Sequence, residues 1–312
     1  MSALAVVFPG QGSQTVGMLS AFTDLYPIIT ETFTEASNVL DYSLMDLVQK
    51  GPAEKLNETI YTQVAMLVAD VAMFRVIKQI NSQKISVMAG HSLGEYAALV
   101  CSGVLGFTDA VRLVRERARL MQQHVAIGLG AMAAIVGLDN DVVTDLCIKA
   151  CNERQKVMPA NYNAIGQVVV AGHKEAVDRL IIAAEAKEAR LARLIPVSVP
   201  CHCDLLQGAA EEFGFFLKTI NFNNPKCSVL SNIDAETYMY GDEIRIKLQK
   251  QLYMPVQWVK IIQTMAQQGI KTIIECGPGQ VLSGLIKRID RTLTSYNINS
   301  QEALEKIKLL GE

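Results

Sequence analysis

The chain has little with which to hold a polyanion. Its 29 Lys and Arg stand against 31 Asp and Glu, a formal net charge of -2, and no block of like charge forms a basic arm. Nucleic acid is therefore not an expected partner. No apolar stretch reads as long enough to cross a bilayer, so no membrane partner is expected either. The first residues lack a basic leader, and their short apolar run is closed by Pro9 and Gly10, which reads as a buried strand and not as a signal peptide. Seven cysteines, an odd number, are scattered over 312 residues instead of forming a dense framework, which suits reduced thiols in a cytoplasm. Neither Cys201 with Cys203 nor Cys147 with Cys151 has the spacing of a zinc site, and no metal is expected. Only four histidines are present, so imidazole chemistry has few places to reside.

What is present is core-forming material: 50% of the residues are hydrophobic, which excludes disorder and low-complexity classes and allows a large domain carrying a smaller one. Short β-rich runs alternate with helical patterns, the grammar of a parallel α/β sheet. Strands are expected at 4–8 and 85–89, a helix at 95–101, and a long helix capped by Thr108 or Asp109 and running to His124. From 128 the order becomes strand (131–137), helix (141–151), two extended pieces within 157–171, helix (174–187) and strand (194–199). That order is ferredoxin-like. The α/β grammar returns with a strand at 227–232, helices at 243–251 and 256–268, and a strand at 271–275, and the polar residues from Tyr296 onward read as a surface appendage. The expected organisation is a large α/β domain made of residues 1–126 and 198–312, with a ferredoxin-like subdomain at 127–197.

Gly90-His91-Ser92-Leu93-Gly94 fits the pattern in which a serine sits on a strained turn between strand and helix. The flanking glycines let backbone pass closely, and the Leu93 N–H at the helix start would face a developing oxyanion. A serine hydroxyl needs a base. His91 is adjacent on a sharp turn and should point elsewhere, His124 ends a helix and His173 begins one, which leaves His202, expected at the end of a strand where open α/β sheets gather active groups. In the helix around Arg117, the neighbours Leu113, Val114, Leu120 and Met121 make an apolar face, so this guanidinium needs an anion. A structural salt bridge and a substrate carboxylate both satisfy that need. The loop Gly10-Gln11-Gly12-Ser13-Gln14 would let the Gln11 amide approach a reacting centre; it misses the dinucleotide fingerprint, because Thr15 stands where the third glycine belongs. The turn 275–279, Glu-Cys-Gly-Pro-Gly, could equally be structural.

These residues resemble the malonyl-CoA:acyl carrier protein transacylases of bacterial type II fatty-acid synthesis. The matching segments are FPGQGSQ at 8–14, TQVAMLVADVA at 62–72, GHSLGEYAAL at 90–99, RERARLMQ at 115–122, ANYNAIGQVVVAG at 160–172, PVSVPCHC at 196–203, QLYMPVQW at 251–258 and ECGPGQVLSGLIKRI at 275–289. The resemblance implies a hydrolase-like α/β core with a mainly parallel sheet and an inserted ferredoxin-like α+β subdomain. It implies Ser92 as acylated nucleophile, His202 as base and acid, Gln11 with the Leu93 N–H as oxyanion hole, and Gln251 as the residue whose backbone carbonyl orients the histidine in place of an aspartate. Arg117 would bind the malonyl carboxylate, with Gln63 and His91 also at the substrate. Malonyl-CoA and acyl carrier protein are the implied partners, with no cofactor. One departure is visible: Cys201 stands where relatives more often carry serine or phenylalanine, which bears on acyl selectivity. A serine esterase or thioesterase and a dinucleotide-binding module are the rival readings.

Overall fold

The computed structural model describes residues 3–126 and 128–310. Two sheets organise them. The first contains β1 (Leu4–Phe8), β2 (Ile85–Gly90), β7 (Ser228–Val229), β8 (Thr272–Glu275) and β9 (Thr294–Asn297), all parallel, in the order β7-β2-β1-β8-β9. β1 is central and every one of its residues is buried. Successive side chains of a strand point to opposite faces, so Leu4, Val6 and Phe8 enter one apolar core while Ala5 and Val7 enter another on the other side. That is why this strand is a continuous apolar run.

The second sheet contains β3 (Gly130–Val136), β4 (Val157–Ala164), β5 (Gln167–His173) and β6 (Leu191–Ile195), antiparallel throughout, in the order β4-β5-β3-β6. With helices Asn140–Ala150 and Lys174–Glu185 on it, this is the ferredoxin-like arrangement, inserted between two stretches of the parallel core. The inserted unit touches the core through β4, where Tyr162 N–H donates to Val256 O and Val256 N–H to Ala160 O, both at 2.9 Å.

Several expectations need correction. The helix Thr59–Ile80 is long and apolar enough to cross a membrane, contrary to the reading that no stretch is; Gln63 and Asp70 disguise its length. Since 83% of its apolar stretch is buried within the fold, it is a core helix. The long helix spans Phe107–His124 with Gly106 at its cap, so Thr108 and Asp109 lie inside its first turn. The last strand of the inserted sheet ends at Ile195, not Val199. The region expected as a strand at 227–232 contributes only Ser228–Val229.

The segment from Tyr296 onward is not an appendage. β9 pairs along the edge of the parallel sheet, and the helix Gln301–Leu309 buries Leu304 and Ile307 in the main core. Asn81 Nδ2 donates to Ile307 O at 2.7 Å, tying this helix to the end of Thr59–Ile80. Ile307→Ala should therefore destabilise the protein by about 2–5 kcal/mol, the range for truncating a fully buried Ile, as measured by urea unfolding. A cost below about 1 kcal/mol, the range of surface substitutions, would restore the appendage reading.

Candidate active site

Parallel strands deliver their carboxyl ends to one edge of the sheet, where open α/β folds place ligands. From the end of β2 the chain turns at once into the helix Gly94–Cys101, and Ser92 at the turn has φ of 52°, a left-handed value that non-glycine residues rarely adopt. The flanking glycines are steric requirements. A Cβ on Gly90 would overlap the Gly94 carbonyl group, and one on Gly94 would overlap the Phe8 carbonyl. Asn232 clamps the bend from outside: its Oδ1 accepts from Ser92 N–H and its Nδ2 donates to Gly90 O, each at 2.7 Å.

The histidine selected by elimination meets this serine. Ser92 Oγ and His202 Nε2 are 2.7 Å apart. His202 does not sit at a strand end, as expected, but in a loop seven residues past β6, with φ of 59° and its N–H donating to Leu252 O at 2.9 Å. Its Nδ1 lies 2.6 Å from Gln251 O. A carbonyl can only accept, so Nδ1 carries the proton and Nε2 is left to accept from the serine hydroxyl. Gln251 ends the helix Gly241–Gln251, which is why its carbonyl has no intrahelical partner to satisfy it.

Arg117 is 0% exposed and has no carboxylate partner among the described residues. The salt-bridge alternative therefore finds no acid. Instead Nη1 donates to Gln63 Oε1 at 2.5 Å and Nη2 to Gln251 Oε1 at 3.1 Å, the guanidinium lies 5.5 Å from the Tyr96 ring centroid, and Nε has no hydrogen-bond partner among the described residues. Gln251 also donates from Nε2 to Ser92 O at 2.9 Å, which puts the guanidinium one side chain from the bend. Gln63 Nε2 reaches Thr59 Oγ1 at 2.9 Å, and the same hydroxyl accepts from Gln11 Nε2 at 3.0 Å.

The glycine-rich loop after β1 abuts the bend, since a Cβ on Gly10 would lie 2.6 Å from His91 O. Among the described residues, neither the Gln11 nor the Leu93 backbone N–H donates to a protein acceptor. His91 turns away from Ser92, as expected; its Nε2 lies 2.7 Å from Asn163 Oδ1 and its ring is edge-on to Trp258. The second glycine turn is structural: Glu275 caps the helix Val281–Ile289 by accepting from Leu282 N–H at 2.9 Å and Ser283 N–H at 2.7 Å.

Residues 5–311 match the acyl transferase domain family. A malonyl CoA-acyl carrier protein transacylase of Escherichia coli strain K12 is 52% identical over 304 residues, 97% of this chain and 98% of that protein. The chain belongs to the malonyl-CoA:acyl carrier protein transacylase family. A solved structure of the family from Coxiella burnetii is similar at a TM-score of 0.97 and 46% identity, covering 100% of this chain and 98% of that one. So is a type II PKS acyl-carrier protein in complex with its malonyl-transacylase, at a TM-score of 0.97 and 45% identity over 99% of this chain and 100% of that chain.

Sequence reasoning missed the supports of this transacylase-family site. Glu95 and Asn232 are fully buried and hold the bend and Gln251, while Asn163 orients His91. The one available signal was a carboxylate in the first turn of the otherwise apolar helix Gly94–Cys101. Burial pushes the Glu95 carboxyl up to about 7, against the pull of its hydrogen bonds from Tyr238, Asn232 and Gln251.

Burial pushes His202 in the opposite sense, down to about 3, with the positive charge of Arg117 adding to it and the bond to the Gln251 carbonyl opposing it. The folded state thus leaves His202 neutral where the unfolded chain, near 6.5, takes up a proton, so this group makes the fold less stable as pH falls through 6.5 toward 3. With 13C-labelled histidine, the resonance lost in His202→Ala should keep the neutral imidazole position from pH 8 to pH 5. An ordinary imidazole is about 97% protonated at pH 5, and a midpoint near 6 for this resonance would contradict the assignment.

Proposed function

We propose that the chain transfers the malonyl group of malonyl-CoA to the phosphopantetheine thiol of acyl carrier protein through a malonyl ester on Ser92. The carrying observation is the 2.7 Å contact between Ser92 Oγ and His202 Nε2 beside a buried arginine without a carboxylate. In the first half-reaction the serine proton passes to His202 Nε2 while Oγ attacks the thioester carbonyl. The negative charge forming on that oxygen is taken by the Leu93 and Gln11 backbone N–H groups. Collapse breaks the C–S bond, and His202 returns its proton to the departing CoA sulfur. The second half-reaction runs the same steps backward with the carrier's thiol as nucleophile, restoring the serine hydroxyl. One thioester replaces another, so the equilibrium lies near unity and the catalyst acts only on the barrier.

Arg117 reads the cargo. Its fork is held by two neutral amide oxygens, from Gln63 and Gln251, and a carboxylate outcompetes them because it brings a full negative charge and accepts both N–H bonds of the planar fork. Gln63 completes the acyl site by holding Arg117 Nη1, and His91, held on Asn163, borders it through its place beside Ser92. We take residues 127–197 as the inserted subdomain, because β3–β6 form a sheet of their own. We place the enzyme in the cytoplasm, where reducing conditions keep thiols such as its seven unpaired cysteines.

Intact-mass measurement after incubation with malonyl-CoA should show one added malonyl group in the wild type and none in Ser92→Ala. Holo acyl carrier protein should then discharge the adduct onto its own thiol; discharge to water at the same rate would make the enzyme a thioesterase. Arg117→Ala should lose malonyl transfer by roughly 30- to 4,000-fold, the penalty for removing one partner of a buried charge pair, while retaining or gaining acetyl transfer. Equal loss for both acyl groups would make Arg117 a structural residue.

A further inference from the structure

We propose that Glu95 is a positioning residue that sets the orienting histidine contact and the arginine fork together, by holding the side chain of Gln251. The inference rests on the function proposed above and adds a residue to its machinery. Glu95 is 0% exposed and lies on the helix that begins two residues after Ser92. Its Oε2 accepts from Gln251 Nε2 at 2.5 Å, and its Oε1 accepts from Tyr238 OH at 2.7 Å and from Asn232 N–H at 2.9 Å. All of these partners present hydrogens, the environment of an ionised carboxylate, and above the value of about 7 to which burial raises it the carboxyl carries its charge.

Gln251 is where the consequences converge. An amide has a donor end and an acceptor end, and the two cannot be exchanged without losing both sets of bonds. With its NH2 end fixed on Glu95 and on Ser92 O, the Gln251 oxygen necessarily points at Arg117 Nη2. The same residue's backbone carbonyl holds His202 Nδ1. Glu95 also supplies the buried cation with a buried anion at one side chain's remove, which offsets the penalty of an uncompensated charge while leaving the guanidinium without a direct carboxylate. A direct ion pair would occupy the place where a substrate carboxylate binds.

Glu95→Gln removes the charge and makes position 95 compete as a donor with the Gln251 amide. The test compares wild type, Glu95→Gln, Gln251→Ala and the double variant at pH 8. The readouts are kcat/KM for malonyl transfer to holo acyl carrier protein, the same quantity for acetyl transfer, and the fraction of enzyme that takes up label from malonyl-CoA. Gln251→Ala keeps the carbonyl that holds His202 and deletes only the amide. Glu95→Gln should lose about tenfold or more in malonyl transfer per labelled site, the scale of a hydrogen bond to a charged group, with a reduced preference for malonyl over acetyl. In the Gln251→Ala background its factor should shrink well below the single-variant factor, because the part of its effect that runs through Gln251 is already gone while its bonds to Asn232 and Tyr238 remain. Full activity of Glu95→Gln, factors that multiply in the double variant, or an unchanged malonyl preference would overturn the proposal. If Glu95→Gln does not fold, Glu95→Asp, which keeps the charge and withdraws it by one methylene, takes its place with the same expectations. A wild type that transfers no malonyl would sink the function itself; an active wild type with multiplying factors sinks only the role of Glu95.

Discussion

The site depends on one backbone bend. A serine at φ of 52° is strained by roughly 1–3 kcal/mol, and the surrounding structure over-determines it. The Asn232 side chain closes a ring across Ser92 N–H and Gly90 O, the Phe8 carbonyl leaves room for no side chain at position 94, and His91 N–H donates to Phe8 O at 2.9 Å. The bend in turn frees the Leu93 N–H and aims Oγ out of the sheet toward a histidine from a distant loop. β1 matters to the site for the same reason: its last residue is the wall against which the bend is pressed.

The second constraint is a cation buried without an acid in contact. Isolated charges do not enter protein interiors, because the loss of hydration costs several kcal/mol. Here the charge is spread over amide dipoles and an aromatic face, with the balancing anion held one residue away. Neutral partners support the guanidinium here, and in the proposed reaction they yield to the malonyl carboxylate. Thr59 joins this network to the glycine-rich loop through Gln11, so Arg117 and that loop share one chain of hydrogen bonds.

How much of this was legible in the sequence follows from how local each feature is. The bend at Ser92 was readable because glycine, serine and glycine at fixed spacing between a strand and a helix are a local steric demand. His202 could be reached because the chain has only four histidines, although its place in a loop, and not at a strand end, could not. Arg117 was visible from helical periodicity alone. Gln251 acts on His202 through its carbonyl, which every residue type carries, so no side-chain pattern announces it; the family resemblance was needed. Asn232 and Glu95 act across 140 and 156 residues of sequence, on Ser92 and Gln251 respectively, and pairwise geometry of that range leaves no local trace. The misplaced strands share a position at sheet edges. β6 and β9 lie at sheet edges and contain no fully buried residue; β9, Thr-Ser-Tyr-Asn, lacks the apolar run by which β1 was found, and the apolar residues just after Ile195 drew the expected end of β6 too far along.

The placement of Arg117 beside His202 has a catalytic consequence for the proposed reaction. Two of the causes that hold His202 down are burial and the Arg117 charge. A thiolate leaving group is a far stronger base than an imidazole held that low, so proton return to sulfur is strongly downhill and the difficult moment is the first removal of the serine proton. A malonyl carboxylate on the guanidinium cancels its charge and so strengthens the base at the moment the correct acyl group is in place. An acetyl group brings no such charge and leaves His202 weak. In the proposed reaction, discrimination by Arg117 would then have two physical sources acting in the same direction: the fork fixes the carbonyl over Ser92, and the neutralised fork lets the imidazole accept the proton.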